Sequence, residues 1–294
     1  MRLGTSTNLL FERPDKSRAS LAETLQRVSE AGFRVFDLNF YDWSLPGSIF
    51  LTDQWEPWIH EAAETAKGLG VEFGQCHAYF YNFFDPSMSE EVRERHRVLQ
   101  RRSLVCSSIL GAHTCVLHPE TDYTGMDTVK RSAEANKRFY DSILELAEPL
   151  KLRIAIENMC DYGIAPKRKF CAYPEELMEF VDSFGTSRIG ICWDFEHADI
   201  MQIDQPQAIR CMGKRLFATH VSDTYSRTDS KLMHVLPLTS GTIAWEPIMK
   251  ALKEIGYQWD FCYEVHNYMN RLPDAVMPTA LKLAYEIGEY LMKL

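Results

Sequence analysis

The chain has 294 residues, 46% of them hydrophobic and 25% charged. That balance belongs to a globular protein long enough to bury a sizeable core, either as one large α/β barrel or as two ordinary domains. The formal charge of −9 argues against a nucleic-acid partner, because gripping a phosphate backbone takes Lys and Arg. No run approaches the roughly eighteen apolar residues of a membrane span, and the opening MRLGTSTNLLFERPD has neither the apolar stretch nor the cleavage pattern of a signal peptide.

The eight cysteines include no C-x-x-C pair, and Cys115, Cys192 and Cys262 sit inside apolar runs, where a free thiol behaves as a small hydrophobe. A disulfide framework is therefore not expected, and the composition fits a reducing, cytoplasmic setting.

In chain order, the pattern predicts a first strand over 2–9 and a helix over 20–31, with Ser20 as N-cap and Gly32 as its stop. Strand two follows at 33–40, helix two at 53–68, strand three at 71–77, helix three at 89–110 and strand four at 113–118. Helix four covers 128–148 and is closed by Pro149, strand five covers 152–157, and helix five opens with Pro174 at its first turn. Strand six is 188–194, a short helix six is 205–212, and strand seven is 216–222. A long polar loop, 223–242, carries His234 and Gly241; helix seven at 244–254, strand eight at 259–265 and helix eight at 278–292 complete the chain.

Strand then helix, eight times without a linker, predicts a single α/β domain over residues 1–294 with the architecture of a (β/α)8 TIM barrel. The supersecondary period of roughly 35 residues could also belong to a helical solenoid, but the short Val/Ile/Phe/Cys-rich runs are strands. An open doubly wound sheet usually carries a Gly-rich turn after strand one, where this chain has Asn8-Leu9-Leu10.

Six strands in a row end on a titratable residue: His77, His118, Glu157, Asp194 followed by His197, His220, and Glu264. A parallel barrel gathers all its strand ends around one mouth, so these side chains should converge. Glu157, Asp194, His220 and Glu264 form the core set. Three carboxylates and one imidazole suit one divalent ion, Mn2+, Mg2+ or Co2+, with Zn2+ as a further choice. The Asp-x-x-His spacing lets His197 reach the same cavity, to bind substrate oxygen, to orient a ligand or to hold a second metal. His77 and His118 could extend a metal cluster, bind substrate hydroxyls, or be structural. His234 stands in the loop after strand seven, and His266 is read as a bystander. Phe40, Trp43, Tyr79, Phe80 and Trp193 are candidates for an apolar wall at the mouth, or for ordinary packing.

The ordered motifs Ile-Glu-Asn (156–158), Asp-x-x-His (194–197), His-Val-Ser-Asp (220–223), His-x(6)-Gly-x(3)-Trp (234–245) and Tyr-Glu-Val (263–265) resemble those of the xylose-isomerase-like barrel superfamily. That superfamily holds sugar isomerases and epimerases and also abasic-site nucleases of the endonuclease-IV type. Resemblance to its ketose 3-epimerase branch implies one ion held by Glu157, Asp194, His220 and Glu264. The two glutamates would double as the acid/base pair on opposite faces of the sugar, and His197 would bind substrate. That branch usually carries an Arg six residues after the metal-binding His; here position 226 is Ser and Arg227 follows. Resemblance to the nuclease branch implies three zinc ions on His77, His118, Glu157, Asp194, His197, His220, His234 and Glu264, but Leu232 replaces one expected Asp.

What the resemblance implies is a metal-dependent isomerase or epimerase in carbohydrate metabolism, acting on a ketose or related polyol, free or phosphorylated. It would abstract a proton next to a carbonyl through an enediolate that the ion, Mn2+ first, stabilises. Catalysis falls to Glu157 and Glu264, and substrate binding to His77, His118, His197 and His234. A metal-dependent lyase or dehydratase on a keto-sugar, glycoside or keto-inositol is the alternative, and an abasic-site endonuclease ranks below it. No organic cofactor, nucleic acid or membrane partner is expected; a homodimer or homotetramer is common in such families. No Gly-rich phosphate loop is evident, which favours a free sugar, although Lys167-Arg168-Lys169 could meet an anionic substrate or form a solvated charge cluster.

Overall fold

The computed structural model describes residues 1–11, 17–161, 168–227, 234–266, 268–269 and 272–294. Its strands are β1 (Arg2–Ser6), β2 (Val35–Asn39), β3 (Glu72–His77), β4 (Thr114–Leu117), β5 (Arg153–Glu157), β6 (Ile189–Asp194), β7 (Leu216–His220) and β8 (Asp260–Tyr263). Every ladder is parallel, and the order runs β7-β6-β5-β4-β3-β2-β1-β8. The ring closes between β7 and β8 through a parallel bridge from Val221 to Tyr263. There Val221 N donates to Cys262 O at 2.8 Å and Glu264 N to Val221 O at 3.0 Å. These are the eight parallel strands of a (β/α)8 TIM barrel.

The helices α1 (Leu21–Glu30), α2 (Trp55–Leu69), α3 (Glu90–Ile109), α4 (Thr128–Ala147), α5 (Pro174–Asp182), α6 (Phe195–Ile200), α7 (Gln205–Met212), α8 (Trp245–Glu254) and α9 (Met277–Lys293) alternate with the strands. Ser20 caps α1 by accepting from Glu23 N at 3.2 Å, and Pro174 opens α5. The structure departs from the sequence reading in two places: the first strand stops at Ser6, whose side chain caps a 3-10 turn over Thr7–Leu10, and a short helix, α6, is inserted right after β6. The Asp194 side chain starts it by accepting from His197 N.

Strand periodicity decides which residues reach the mouth. Outward positions such as Ile154, Ile156, Ile191 and Phe261 join the large core between barrel and helices. Val116, Ala155, Cys192, Phe217 and Ala218 form a separate cluster. Alternation then carries Glu157, Asp194 and His220 inward, each two residues beyond a small inward residue (Ala155, Cys192, Ala218). The small residues leave a floor; the titratable ones stand above it.

Three of the five aromatics follow the ordinary-packing alternative. Phe40 packs on Phe50 in the outer core, Tyr79 shares a hydrogen bond with His96 and stacks on it, and Trp193 is fully buried with Nε1 donating to Gln205 of α7. Trp43 packs between Phe11 and Trp58. Of the five, Phe80 lies against the site, its ring centroid 4.2 Å from that of His118 and 5.3 Å from that of His77. All eight cysteines are free, and seven are buried.

Candidate functional site

Glu157, at the end of β5, is the hub. Its Oε2 lies 3.1 Å from His220 Nδ1, 3.2 Å from His118 Nε2 and 3.5 Å from His77 Nε2, and its Oε1 lies 3.4 Å from His197 Nδ1. His220 Nδ1 is equally close, 3.1 Å, to Oε2 of Glu264. Glu157, Asp194, His220 and Glu264 each offer one ligand atom, and the four atoms lie within 4.8 Å of one another. All four residues are buried.

Such a knot of carboxylates could be a hydrogen-bonded cluster or a cation cradle. The unsatisfied atoms favour the cradle: Glu157 Oε2, Asp194 Oδ2 and both ring nitrogens of His220 are buried without a hydrogen-bond partner of good geometry. A buried polar atom left so is costly unless a ligand completes it. The buried His/Glu cluster is consistent with a divalent metal ion.

Outer residues hold this set in place. Asp37 of β2 stands behind His220, its Oδ2 3.5 Å from Nε2, so Nδ1 is the nitrogen turned to the carboxylates. Asp37 is held in turn by His77 N and Gln75 Nε2, both at 2.8 Å. A carboxylate behind a ligating imidazole sets ring orientation and basicity. Asn158 laces β5 to β6, donating through Nδ2 to Asp194 O and accepting from Asp194 N at Oδ1. Its carbonyl meets His197 Nδ1 at 2.8 Å. Asn39 Nδ2 donates to Glu264 Oε1 at 3.3 Å.

Electrostatics follow from this crowding. Burial by itself would raise the Glu157 carboxyl, but His220 and His118 outweigh it and hold the group well below the usual carboxylate range. Glu264 is likewise raised by burial and lowered further by His220 and His266. Burial pushes Asp194 up to about 6, only partly opposed by His197. Burial lowers His220, yet Cys192, Glu264 and Glu157 together keep it well above the ordinary imidazole value. Two ionised glutamates and one reluctant aspartate share the cradle.

The histidines expected to meet substrate fall at different depths. His77 and His118 touch each other, Nε2 to Nε2 at 3.0 Å, and both touch Glu157. His197 is buried beside Asp194 and Glu157. His234 lies across the mouth, its Nδ1 3.1 Å from Oε2 of Glu196. Arg227 is clasped by Asp199 at 3.0 and 3.2 Å. Arg168 pairs with Glu176 at 2.6 Å, while Lys167 and Leu232 lie outside the described residues.

Five residues without a predicted role pack on the site or on the loop beside it. Asp37 and Asn39 sit at inward positions of β2, a signal available from alternation. Glu196 is fully buried, accepts from Ser222 Oγ at 2.7 Å and takes the His234 backbone N–H. His266 is no bystander: its Nε2 is 3.3 Å from Glu264 Oε1. Asp223 explains the Gly-x(3)-Trp spacing, for its carboxylate accepts from Thr242 N, Ile243 N and Trp245 Nε1.

Comparison with known proteins agrees with this architecture. The family model of the xylose isomerase-like TIM barrel matches residues 25–286. An uncharacterised protein of Methanocaldococcus jannaschii is 25% identical over 245 residues, 81% of this chain and 76% of the relative. A D-psicose 3-epimerase of Enterocloster bolteae is 32% identical over 84 residues, 29% of this chain and 25% of that enzyme. The crystal structure of a D-psicose 3-epimerase in the presence of D-fructose has a TM-score of 0.74 at 18% identity, covering 99% of each chain, a likeness of fold alone. With the matched residues running from α1 into α9, the chain belongs to the xylose isomerase-like TIM barrel family.

Proposed function

We propose that this protein is a divalent-metal-dependent isomerase or epimerase acting on a ketose or a related polyol. One observation carries the reading: Glu157, Asp194, His220 and Glu264 bring four ligand atoms within 4.8 Å of one another in a buried cradle where Glu157 Oε2, Asp194 Oδ2 and both ring nitrogens of His220 lack a hydrogen-bond partner. The D-psicose 3-epimerases among its relatives support the substrate class.

Glu157, Asp194, His220 and Glu264 would hold the ion, Mn2+ first, with Mg2+, Co2+ or Zn2+ as alternatives. When bound, such an ion supplies Lewis acidity that stabilises negative charge developing on a carbonyl oxygen. The proton belongs to the glutamates. β5 and β8 are three strands apart around the ring, so the two carboxyl groups reach a sugar from different sides. Neighbouring imidazoles favour the ionised form that accepts a proton, and burial keeps water from competing for it. One glutamate, ionised, removes the α-proton; the other, entering the cycle protonated, gives its proton to the opposite face and inverts the carbon, and proton exchange between turnovers resets the pair, whereas the first proton returned to the adjacent carbon isomerises the sugar.

His77, His118, His197 and His234 are the groups to bind hydroxyls. With Nδ1 of His197 on Asn158 O, its Nε2 is left for substrate. Phe80, packed on His118, offers an apolar face for sugar C–H groups.

The test is metal content per chain by elemental analysis, then a panel of ketoses in deuterated water. Metal-dependent deuterium incorporation next to the carbonyl supports the proposal, and its absence across the panel with the metal loaded refutes it. A lyase or dehydratase would share the first proton step and reveal itself by an unsaturated or dehydrated product.

A further inference from the structure

We propose that the mouth holds a second cation site, built by His234, Glu264 and His266, with Glu264 bridging it to the first. Each of the three offers a ligand atom, and these atoms lie within 4.8 Å of one another. Glu264 divides its two oxygens: Oε2 is 3.1 Å from His220 Nδ1, whereas Oε1 is 3.3 Å from His266 Nε2. A carboxylate split in this way can join two ions about 4 Å apart, as in two-metal sites.

His234 Nδ1 stands 3.1 Å from Glu196 Oε2 but is buried without a hydrogen bond of good geometry, so the ring has nitrogen to spare for a cation. Glu196 also accepts from the His234 backbone N–H, at 2.9 and 3.0 Å to its two oxygens, and is anchored by Ser222. The anchoring also holds His234 at φ 54°, a backbone region that non-glycine residues seldom occupy and that clusters at functional sites. His234 and His266 rings meet at 4.5 Å between centroids.

An independent sign comes from Asn8. It is 4% exposed, its Nδ2 lies 3.1 Å from His266 Nε2, and its Oδ1 is buried without a partner. A buried amide oxygen left unsatisfied on a side chain that touches the His266 ring is what a cation, or a water on one, would complete.

Two imidazoles with one carboxylate favour a borderline ion, Zn2+ or Co2+, over Mg2+. His234 and Glu264 also belong to the set matched to the zinc nucleases, whereas His266 lies outside that set, and it is His266 that makes this grouping a different one. With this site filled, His234 serves as a cation ligand in place of a hydroxyl-binding group, and the inference otherwise stands apart from the reaction catalysed.

The experiment equilibrates the metal-depleted full chain with Co2+, removes free ion, and counts cobalt by elemental analysis beside visible absorbance. Two ions per chain are expected, falling to one in His266→Ala and in His234→Ala, with the thermal melt checking that each variant is folded. One ion in the unmodified chain at saturation overturns the second site and leaves the first standing. Two ions retained in a folded His266→Ala variant overturn it as well. No ion at all would refute both the second site and the proposed function.

Discussion

Asp223 and Gly241 share one space: a Cβ on residue 241 would lie inside the Asp223 carboxyl group. That carboxylate accepts from the backbone N–H groups of Thr224, Thr242 and Ile243 and from Trp245 Nε1, at 2.9 to 3.2 Å. Asp223 also pairs with Val235 in an antiparallel bridge, next to His234. The pair thus ties Val235 and residues 242–245 to the end of β7. Gly241→Ala should displace the carboxylate, and Asp223→Ala should orphan its buried donors. Each should cost about 2–4 kcal/mol. Urea melts measure this, and a loss below about 0.5 kcal/mol in both would show that the loop is held elsewhere.

Glu157→Gln and Glu264→Gln should each lower exchange of the α-proton by roughly 10²–10⁴-fold, the usual worth of a general acid/base. Gln keeps the volume, so the circular dichroism spectrum should not change. Mass-spectrometric deuterium uptake, with metal content measured on the same samples, separates a lost base from a lost ion. Unchanged exchange in both variants would remove the acid/base assignment.

Chelation should destabilise the protein. An ion bound to the folded state alone adds about 4 kcal/mol when free ion is a thousandfold above Kd, and its removal leaves Glu157, Asp194 and Glu264 facing one another. The melting temperature should fall on chelation and recover with Mn2+. In Asp194→Asn the gap between loaded and chelated melts should shrink sharply; a gap as wide as in the unmodified chain would place the ion elsewhere.

Glu120, just past β4, gives a pH signature away from the cradle. Burial raises its carboxyl to about 7 from an ordinary 4.5, with Lys169 pulling the other way. The folded state therefore keeps a proton that the unfolded chain releases, so the group's stabilising contribution is complete below pH 4.5 and is lost as pH rises toward 7. Glu120→Gln escapes that loss. It should match the unmodified chain near pH 4, gain between pH 4.5 and 7, and stay ahead above 7 by about 1–3 kcal/mol. Melts at matched pH test it; a difference that does not vary with pH would mean that Glu120 is not protonated in the fold.

The order of strands and helices was legible in the chain because each rests on short-range patterning. Apolar runs ending in Glu157, Asp194 and His220 mark strands buried on both faces, and Ser20 and Pro174 mark helix starts. Period-two alternation within a strand also says which side chains share a face, so the convergence of Glu157, Asp194, His220 and Glu264 could be expected once a closed parallel barrel was assumed. The same rule, applied to β2 and β6, would have brought Asp37 in and sent Trp193 out.

What the chain by itself determined is this alternation and the strand-end chemistry it delivers. Only the tertiary structure decided how the ring shuts at Val221 and Tyr263, that Asp194 both faces the cradle and starts α6, and that His234 and His266 gather at Glu264 with Glu196 against His234. The reason is physical. Within a strand, side-chain direction is set by the residue's own backbone, whereas beyond the strand end it depends on loop paths and on hydrogen bonds between segments far apart in sequence, and no local pattern records those.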